Sequence, residues 1–398
     1  MTPADLSSTV LHAVRRAVAE DALRAPVPAR VRVERTRPGG RGDYASAVAL
    51  QLAGPAALPA REVAEILRAR MAGAPGIGRV EITGPGFLNF TLDAATDAAA
   101  HAALVHQVLE RGTRYGHGDA LAGVPLRFGH AREVRAAVTA DAVRRLVLAQ
   151  GGLVRISCHG ERDPDWTRLG IAADAHGQPP APSAVLAQGQ PPVPSAVLAQ
   201  GQPPVPPTEL AQGQPPVPPT EIRPVPAGAT AGELLARLGS DATRWGLLRP
   251  AGHDRAPLGD ELLVQAEGNP LFLVRYAHSR ARALSRGAEL LGFTGGGGQG
   301  AGAAAFEAPE ALALLAVLAD HPAVLAAAAR HRAPDRLARH LEAVAHAFFD
   351  FHDATSPLPA GDEKPSAAHR ARLALAEAAG TVLAGGLSLL GVSAPPYL

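Results

Sequence analysis

The chain has 398 residues, room for two or three domains, and its 47% hydrophobic content can fill sizeable cores. Its 38 basic and 37 acidic side chains nearly cancel, so no global field draws it to nucleic acid, and any such contact must come from local patches. Cys158 is the single cysteine, which excludes an internal disulfide and a thiolate zinc site.

The start, Met1-Thr2-Pro3-Ala4-Asp5, shows no charged flank leading into an apolar run, so no signal peptide is expected. The apolar C-terminal stretches are Ala-rich and interrupted at Asp320-His321-Pro322, so no bilayer span is expected and the location is read as cytoplasmic. Lys364 is the single lysine, which constrains any mechanism that needs lysines on a mobile loop.

Residues 1–121 read as a small α+β domain. Leu11, Val14 and Val18 recur at helical spacing, and residues 31–35 alternate like a strand. Gly42-Asp43 opens a predicted helix over residues 44–52, and residues 61–71 give a third. Residues 80–83 and 87–92 read as strands joined by the Gly84-Pro85-Gly86 turn, and a helix follows to about Arg111.

Residues 122–176 read as the remnant of an α/β, Rossmann-like domain. A strand ends near Phe128-Gly129-His130, a helix carries Val134, Val138, Ala142 and Leu146 on one face, and residues 153–157 form the next strand. This is one βαβ unit where a full nucleotide-binding sheet needs several. Cys158 and His159 are strand neighbours pointing to opposite faces, which argues against a nucleophile pair.

Residues 177–226 carry near copies of a twelve-residue unit, GQPPxPxxxLAQ, starting at Gly177, Gly189, Gly201 and Gly213. Paired prolines fix φ and lack donors, so a disordered, polyproline-like linker is expected, with a proline-recognising protein as an alternative partner.

Residues 227–398 read as an all-α bundle. Thr230 and Glu233 form a predicted capping box. A helix runs over residues 268–291, and others start near Pro309, Pro322, Pro334 and Ser366. Residues 294–305 form a Gly/Ala-rich loop with no preceding strand and no lysine, unlike a phosphate loop. His101 with His106, and His346 with His352, read as helix-surface residues, so no metal site is expected.

Three stretches together resemble the arginyl-tRNA synthetase family. Gly42-Asp43-Tyr44-Ala45-Ser46-Ala47-Val48-Ala49-Leu50, Arg61-Glu62-Val63-Ala64 and Gly84-Pro85-Gly86-Phe87-Leu88-Asn89-Phe90 are similar to its N-terminal additional domain. Asn269-Pro270-Leu271-Phe272-Leu273-Val274-Arg275-Tyr276-Ala277-His278-Ser279-Arg280 resembles its DALR anticodon-binding domain. So do Asp335-Arg336-Leu337-Ala338-Arg339-His340-Leu341 and the ending Leu390-Gly391-Val392-Ser393-Ala394-Pro395-Pro396. These blocks stand in family order and span about 270 residues. The resemblance implies tRNA as partner, with Tyr44 and Asn89 as candidate contacts in the N-terminal domain.

Ala122-Gly123-Val124-Pro125-Leu126-Arg127-Phe128-Gly129-His130-Ala131-Arg132 resembles the family's class I signature, A-N-P-T-G-P-L-H-[IV]-G-H-A-R. In the family both histidines of that signature stabilise the reacting phosphorus of ATP. Here Gly129, His130 and Arg132 remain as an ATP-site remnant, Arg127 replaces the first histidine, and Asn-Pro-Thr is missing. The family's lysine-rich second signature would fall just before Thr230, where the chain reads Arg223-Pro224-Val225-Pro226-Ala227-Gly228. The catalytic sheet with its arginine pocket would lie between the two signatures, and here only a short stretch and the repeat lie there. The resemblance therefore implies a catalytically degenerate paralogue. ATP with magnesium enters only if the remnant still binds nucleotide, and residual ligase chemistry or a protein-binding scaffold role are the alternatives.

On the helix over residues 268–291, Arg275, His278, Arg282 and Arg286 fall on one stripe, with Tyr276 and Arg280 beside it. On the helix from Pro334, Leu337, Leu341, Val344, Phe348 and Phe351 form the apolar stripe, and Arg336, Arg339 and His340 lie off it. Arginines meet phosphates, and Tyr276 or Tyr397 can stack on unpaired bases, so these residues are the candidate tRNA contacts of a monomer.

Overall fold

The computed structural model describes residues 3–36, 41–92, 94–161, 163–171, 174–176, 219–296 and 306–398. The proline-rich copies up to residue 218, and most of the Gly/Ala-rich loop over residues 294–305, lie outside the described residues.

The N-terminal part packs α1 (Pro3–Ala19), α2 (Val48–Ala56) and α3 (Ala60–Met71) against a four-stranded sheet. Its strands are β1 (Glu34–Arg35), β2 (Tyr44–Ser46), β3 (Ile77–Thr83) and β4 (Phe87–Leu92), ordered β1-β2-β4-β3 with antiparallel pairing. Leu6, Val10, Val14, Val63, Leu67, Leu88 and Phe90 close its core. Of residues 31–35, only Glu34–Arg35 pairs as a strand.

The expected helix from Tyr44 does not begin there. The Asp43 amide donates to the Phe90 carbonyl (2.7 Å), and the Asp43 carboxylate accepts from the Leu92 amide (2.9 Å). Tyr44, Ala45 and Ser46 are thereby drawn into register opposite Phe90, Asn89 and Leu88. Gly42 (φ +73°) makes the approach, since a Cβ there would lie 2.7 Å from the Phe90 carbonyl oxygen.

After α4 (Ala94–Arg111), the chain forms β5 (Pro125–Ala131), α5 (Val134–Ala149), β6 (Leu153–His159), β7 (Ala175–His176) and β8 (Thr220–Ile222). The sheet is parallel throughout, ordered β7-β6-β5-β8. The helical stripe read from the sequence captures half of α5. Val134, Val138, Ala142 and Leu146 face the helical core, while Ala140, Val143 and Val147 pack on Phe128, Ile156 and Ile222 of the sheet. A helix apolar on both sides is a central element, and α5 binds the sheet to the bundle.

The bundle comprises α6 (Ala231–Leu248), α7 (Pro270–Leu290), α8 (Pro309–His331), α9 (Pro334–Ala354) and α10 (Ala367–Leu390). The Thr230–Glu233 capping box forms as read, with the Thr230 hydroxyl accepting from the Glu233 amide (3.3 Å) and the Glu233 carboxylate from the Thr230 amide (2.8 Å). Leu337, Leu341, Val344, Phe348 and Phe351 are wholly buried. Val105 and Val108 of α4 join this core.

Pro322 does not start a helix; it lies inside α8. A mid-helix proline removes the donor for the carbonyl four residues back, here that of Leu318. The Tyr115 hydroxyl donates to that carbonyl instead (3.2 Å), and its ring stacks on His321 (5.9 Å between centroids). Burial pushes the Tyr115 phenol up to about 12, so it remains a donor. Tyr115→Phe is expected to lose about 1–2 kcal/mol in urea unfolding. Pro322→Ala, which returns an amide to that carbonyl, is expected to absorb most of the loss. Equal losses in both backgrounds would contradict this pairing.

By length and composition α8 and α10 are apolar enough to cross a membrane, with mean hydropathies of 1.9 and 1.7 over their most apolar windows. The sequence expectation of no such stretch fails because Pro322 does not break α8. The α10 window is 72% buried within the bundle, as a core helix is, and the α8 window 39%.

Candidate functional site

In open parallel sheets, ligands bind beyond the C-terminal strand ends, where helix N-termini present free amides. Gly129, His130 and Arg132 stand at that edge, before α5. One amide of the first turn of α5, that of Ala136, is already engaged. Glu133 is the N-cap, and its carboxylate accepts from the Ala136 amide (2.8 Å) and from the Ala227 amide across the chain (2.9 Å). A fixed negative charge therefore sits where an incoming phosphate would be cradled.

The three remnant residues do not converge on a cavity. His130 is 1% exposed, with Nδ1 2.8 Å from the Ala131 carbonyl oxygen and its ring 5.7 Å from Trp166. Above Gly129, Glu221 and His159 approach each other at 3.3 Å, and a Cβ on Gly129 would meet both. Arg132 is exposed and lies near Cys158, whose thiol is pushed up by burial against the opposing charge of Arg132. Cys158 faces α5 and His159 the other side, so the two do not form a pair.

The segment before α6 is pinned as well. The Val225 amide donates to the Gly252 carbonyl (2.7 Å), and Ala227 is held by Glu133. Arg135, 1% exposed, donates to the carbonyls of Val225, Leu247, Pro250, Ala251 and Asp254. All five guanidinium donors are spent on backbone, which ties α5, the chain before α6 and the end of α6 into one piece. Sequence reading missed Arg135. Its signal was a charged residue beside the apolar stripe of a helix buried on both sides.

The candidate contacts of the N-terminal domain are largely buried: Tyr44 is 7% exposed within the core, and Asn89 is 6% exposed with its side-chain amide donating to Thr83 Oγ1 (2.7 Å).

The α7 stripe is real, but most of it is occupied by the chain's own C-terminus. Arg275 lies 3.4 Å from Ser393 Oγ and 3.6 Å from Asp241, and His278 Nδ1 lies 3.1 Å from the Pro395 carbonyl oxygen. Arg286 donates to the Pro396 carbonyl (3.3 Å) and lies 4.1 Å over the Tyr397 ring. His278 is buried, and burial lowers its pKa. Arg282 remains exposed. His340 was read as lying off the buried stripe; it is 9% exposed, with its ring 5.2 Å from His321, and does not reach solvent. Arg336 and Arg339 are exposed and line a cavity of about 1020 Å³, with Arg339 paired to Asp335.

Tyr276 is the centre of an aromatic row. It is 42% exposed and sits between Phe272 (5.5 Å, 7°) and Phe349 (5.4 Å, 23°). Arg280 donates to His352 Nε2 (3.2 Å) on the neighbouring α9. Phe272 also lines a cavity of about 280 Å³ with Asp241, Arg275 and Leu398. Phe272, Phe349 and His352 were not singled out from sequence, because two helices must meet before the row exists. Tyr397 is 68% exposed, at the end of the tail.

Residues 5–92 match the family described as "Arginyl tRNA synthetase N terminal domain", and residues 274–398 match "DALR anticodon binding domain". Among curated relatives, the arginine–tRNA ligase of Frankia alni is 30% identical, covering 99% of this chain and 100% of that protein. The arginine–tRNA ligase of Renibacterium salmoninarum is 29% identical with the same coverage. These alignments run over 554 and 561 positions against 398 residues here, so more than a quarter of their length has no counterpart in this chain. The arginyl-tRNA synthetase of Thermus thermophilus superposes with a TM-score of 0.64 at 15% identity, covering all of both chains. That of Plasmodium falciparum gives 0.65 at 10%, covering all of this chain and 99% of the other. At such identities the likeness is one of fold.

Proposed function

Because this chain belongs to the arginyl-tRNA synthetase family, we propose that it binds tRNA without activating arginine. The observation that carries the proposal is the Glu133 carboxylate on the amides of Ala136 and Ala227. An adenylating centre stabilises the negative charge developing on ATP with preorganised donors, and losing one such donor costs about 2.7–4 kcal/mol of barrier. Here the Ala136 amide of α5 is held by a side chain of the same sign as the substrate, and His130 is sealed in the core. No lysine stands between Arg223 and Gly228, and that segment is fastened to α5 rather than free to clamp phosphates. The alignment positions without a counterpart agree with a shortened catalytic region. The residues at this edge do not fit ATP with magnesium, and no chemical step is assigned to them.

The RNA half of the reading is supported by the family of residues 274–398 and by the row Phe272, Tyr276 and Phe349 beside the cavity at Asp241. Aromatic faces stack unpaired bases, each such contact being worth about 1–3 kcal/mol. Arg280, Arg282, Arg336 and Arg339 supply exposed charge on the same bundle. Filter retention of total tRNA at two salt concentrations tests this: binding that weakens steeply as salt rises supports it, and no retention at low salt overturns it.

A further inference from the structure

Among the described residues, α5 covers one face of this sheet, and the other face carries exposed side chains. Parallel sheets are ordinarily covered on both faces. Phe128 and Ile156 pack against α5, so by strand alternation Arg127 and Arg155 project from the opposite face. Both are exposed, and Leu153 beside them is 64% exposed. Arg127 and Arg155 are also direct partners in the β5–β6 register. The two arginines thus stand side by side on neighbouring strands, whose backbones lie about 4.8 Å apart.

Like charges placed directly opposite in a sheet are destabilising. Neither arginine has a carboxylate partner among the described residues. The one acidic residue in the strands of this sheet is Glu221, two positions further along this face opposite Gly129. It is engaged with His159 at 3.3 Å and lies 4.0 Å from Arg223. A cationic pair kept at a cost to stability, on a flat exposed surface, fits an external anion. Guanidinium forks match phosphate oxygens in pairs.

We propose that the face of this sheet opposite α5 binds the phosphate backbone of RNA through the exposed Arg127 and Arg155. The proposal rests on the reading of the protein as an RNA binder. It adds a second anchoring surface, on the sheet rather than on the helical bundle and indifferent to base sequence, because phosphates carry no sequence information.

The test is the single substitution Arg127→Glu, which turns the like pair into an ion pair with Arg155 and removes both from phosphate binding. Binding of total tRNA is followed by fluorescence anisotropy between about 50 and 200 mM salt. The slope of log affinity against log salt is expected to become shallower by about 1.5, since each of the two phosphate contacts contributes roughly 0.7–0.9. Affinity at the low-salt end is expected to fall at least about tenfold. The thermal midpoint of the free protein is expected to rise by about 1–3 °C, because a repulsive cross-strand pair becomes attractive. A matched control, Arg255→Glu with Arg330→Glu, changes net charge more at exposed positions elsewhere, and is expected to leave the slope within about half a unit.

If the wild-type protein binds tRNA and Arg127→Glu leaves slope and affinity unchanged, this inference falls while the reading of function stands. An equal loss in the control, or a lowered thermal midpoint, also overturns it. If the wild-type protein binds no RNA, both fall together.

Discussion

Asp141→Ala is expected to destabilise the protein by about 3–5 kcal/mol, a large share of the 5–15 kcal/mol typical of folded domains. Asp141 lies on α5 and is 4% exposed. Its carboxylate accepts from Arg244 of α6 (2.6 Å) and from Arg145 (3.0 Å). Arg244 is wholly buried and also donates to the carbonyls of Leu390 (2.9 Å) and Leu169 (2.7 Å). Gly391 has φ +70° and lies flat against the guanidinium, where a Cβ would collide with it. Burial lowers the Arg244 pKa and Asp141 opposes the shift, but an arginine does not discharge at ordinary pH. Without Asp141, a full positive charge stays buried with carbonyl dipoles and the more distant carboxylate of Asp241 to offset it. Asp141→Ala combined with Arg244→Met is therefore expected to recover much of the loss, since removing both charges is far cheaper than stranding one. Urea unfolding of the three variants decides this. A single-variant loss below about 1 kcal/mol, or a double variant no better than the single, contradicts the account.

Acid should weaken the fold through two buried histidines. His321 on α8 and His340 on α9 face each other, and burial lowers their pKa values to about 3 and about 4. For His321 the positive charges of His340 and His117 add to the effect. His321 Nδ1 and His340 Nε2 are buried without hydrogen-bond partners, so neither ring has an acceptor for an added proton. The sign follows from linkage. With a native pKa below the unfolded value of 6.5, the unfolded chain holds more protons between these values, and stability falls as pH falls through 6.5. At pH 5 the penalty is about 1.5 units per ring, roughly 2 kcal/mol each and about 4 kcal/mol for the pair. It stops growing only below the native values, near pH 3 to 4. Glu377 works the other way, because burial raises its pKa and stability is gained as it takes up a proton. The reading is therefore a difference: the loss between pH 8 and pH 5 in the wild type, minus that in His321→Phe combined with His340→Leu. A difference near 4 kcal/mol is expected, and equal pH dependence in both proteins rules the mechanism out.

What the sequence revealed and what it concealed divide along a physical line. Local signals read through directly, such as the Thr230–Glu233 cap, the βαβ unit after Val124 and the apolar stripe of α9. Signals whose meaning depends on a distant partner did not. Tyr44 reads as the start of a helix until β4 arrives beside it, and Pro322 reads as a helix start until Tyr115 supplies the missing hydrogen bond. His278 and His340 carry polar side chains on helix flanks, yet the C-terminal tail covers one and His321 the other. Arg135 and Asp141 on α5 and Arg244 on α6 look like ordinary surface charges, and only the packing of α5 between the sheet and the bundle shows that they are interior. The stretch resembling the signature was legible as residues, but not that the Glu133 carboxylate, one position past it, accepts from the Ala136 amide at the start of α5.

The central claim is that the α5 edge no longer activates arginine while the protein still holds tRNA. Arginine-dependent exchange of pyrophosphate into ATP, with tRNA present, on a preparation already shown to retain tRNA on a filter, tests it most directly. The account predicts exchange indistinguishable from the reaction without arginine, alongside salt-sensitive tRNA retention. Exchange that rises with arginine and saturates would contradict it, because a centre with Glu133 on its helix amide would then be forming an adenylate.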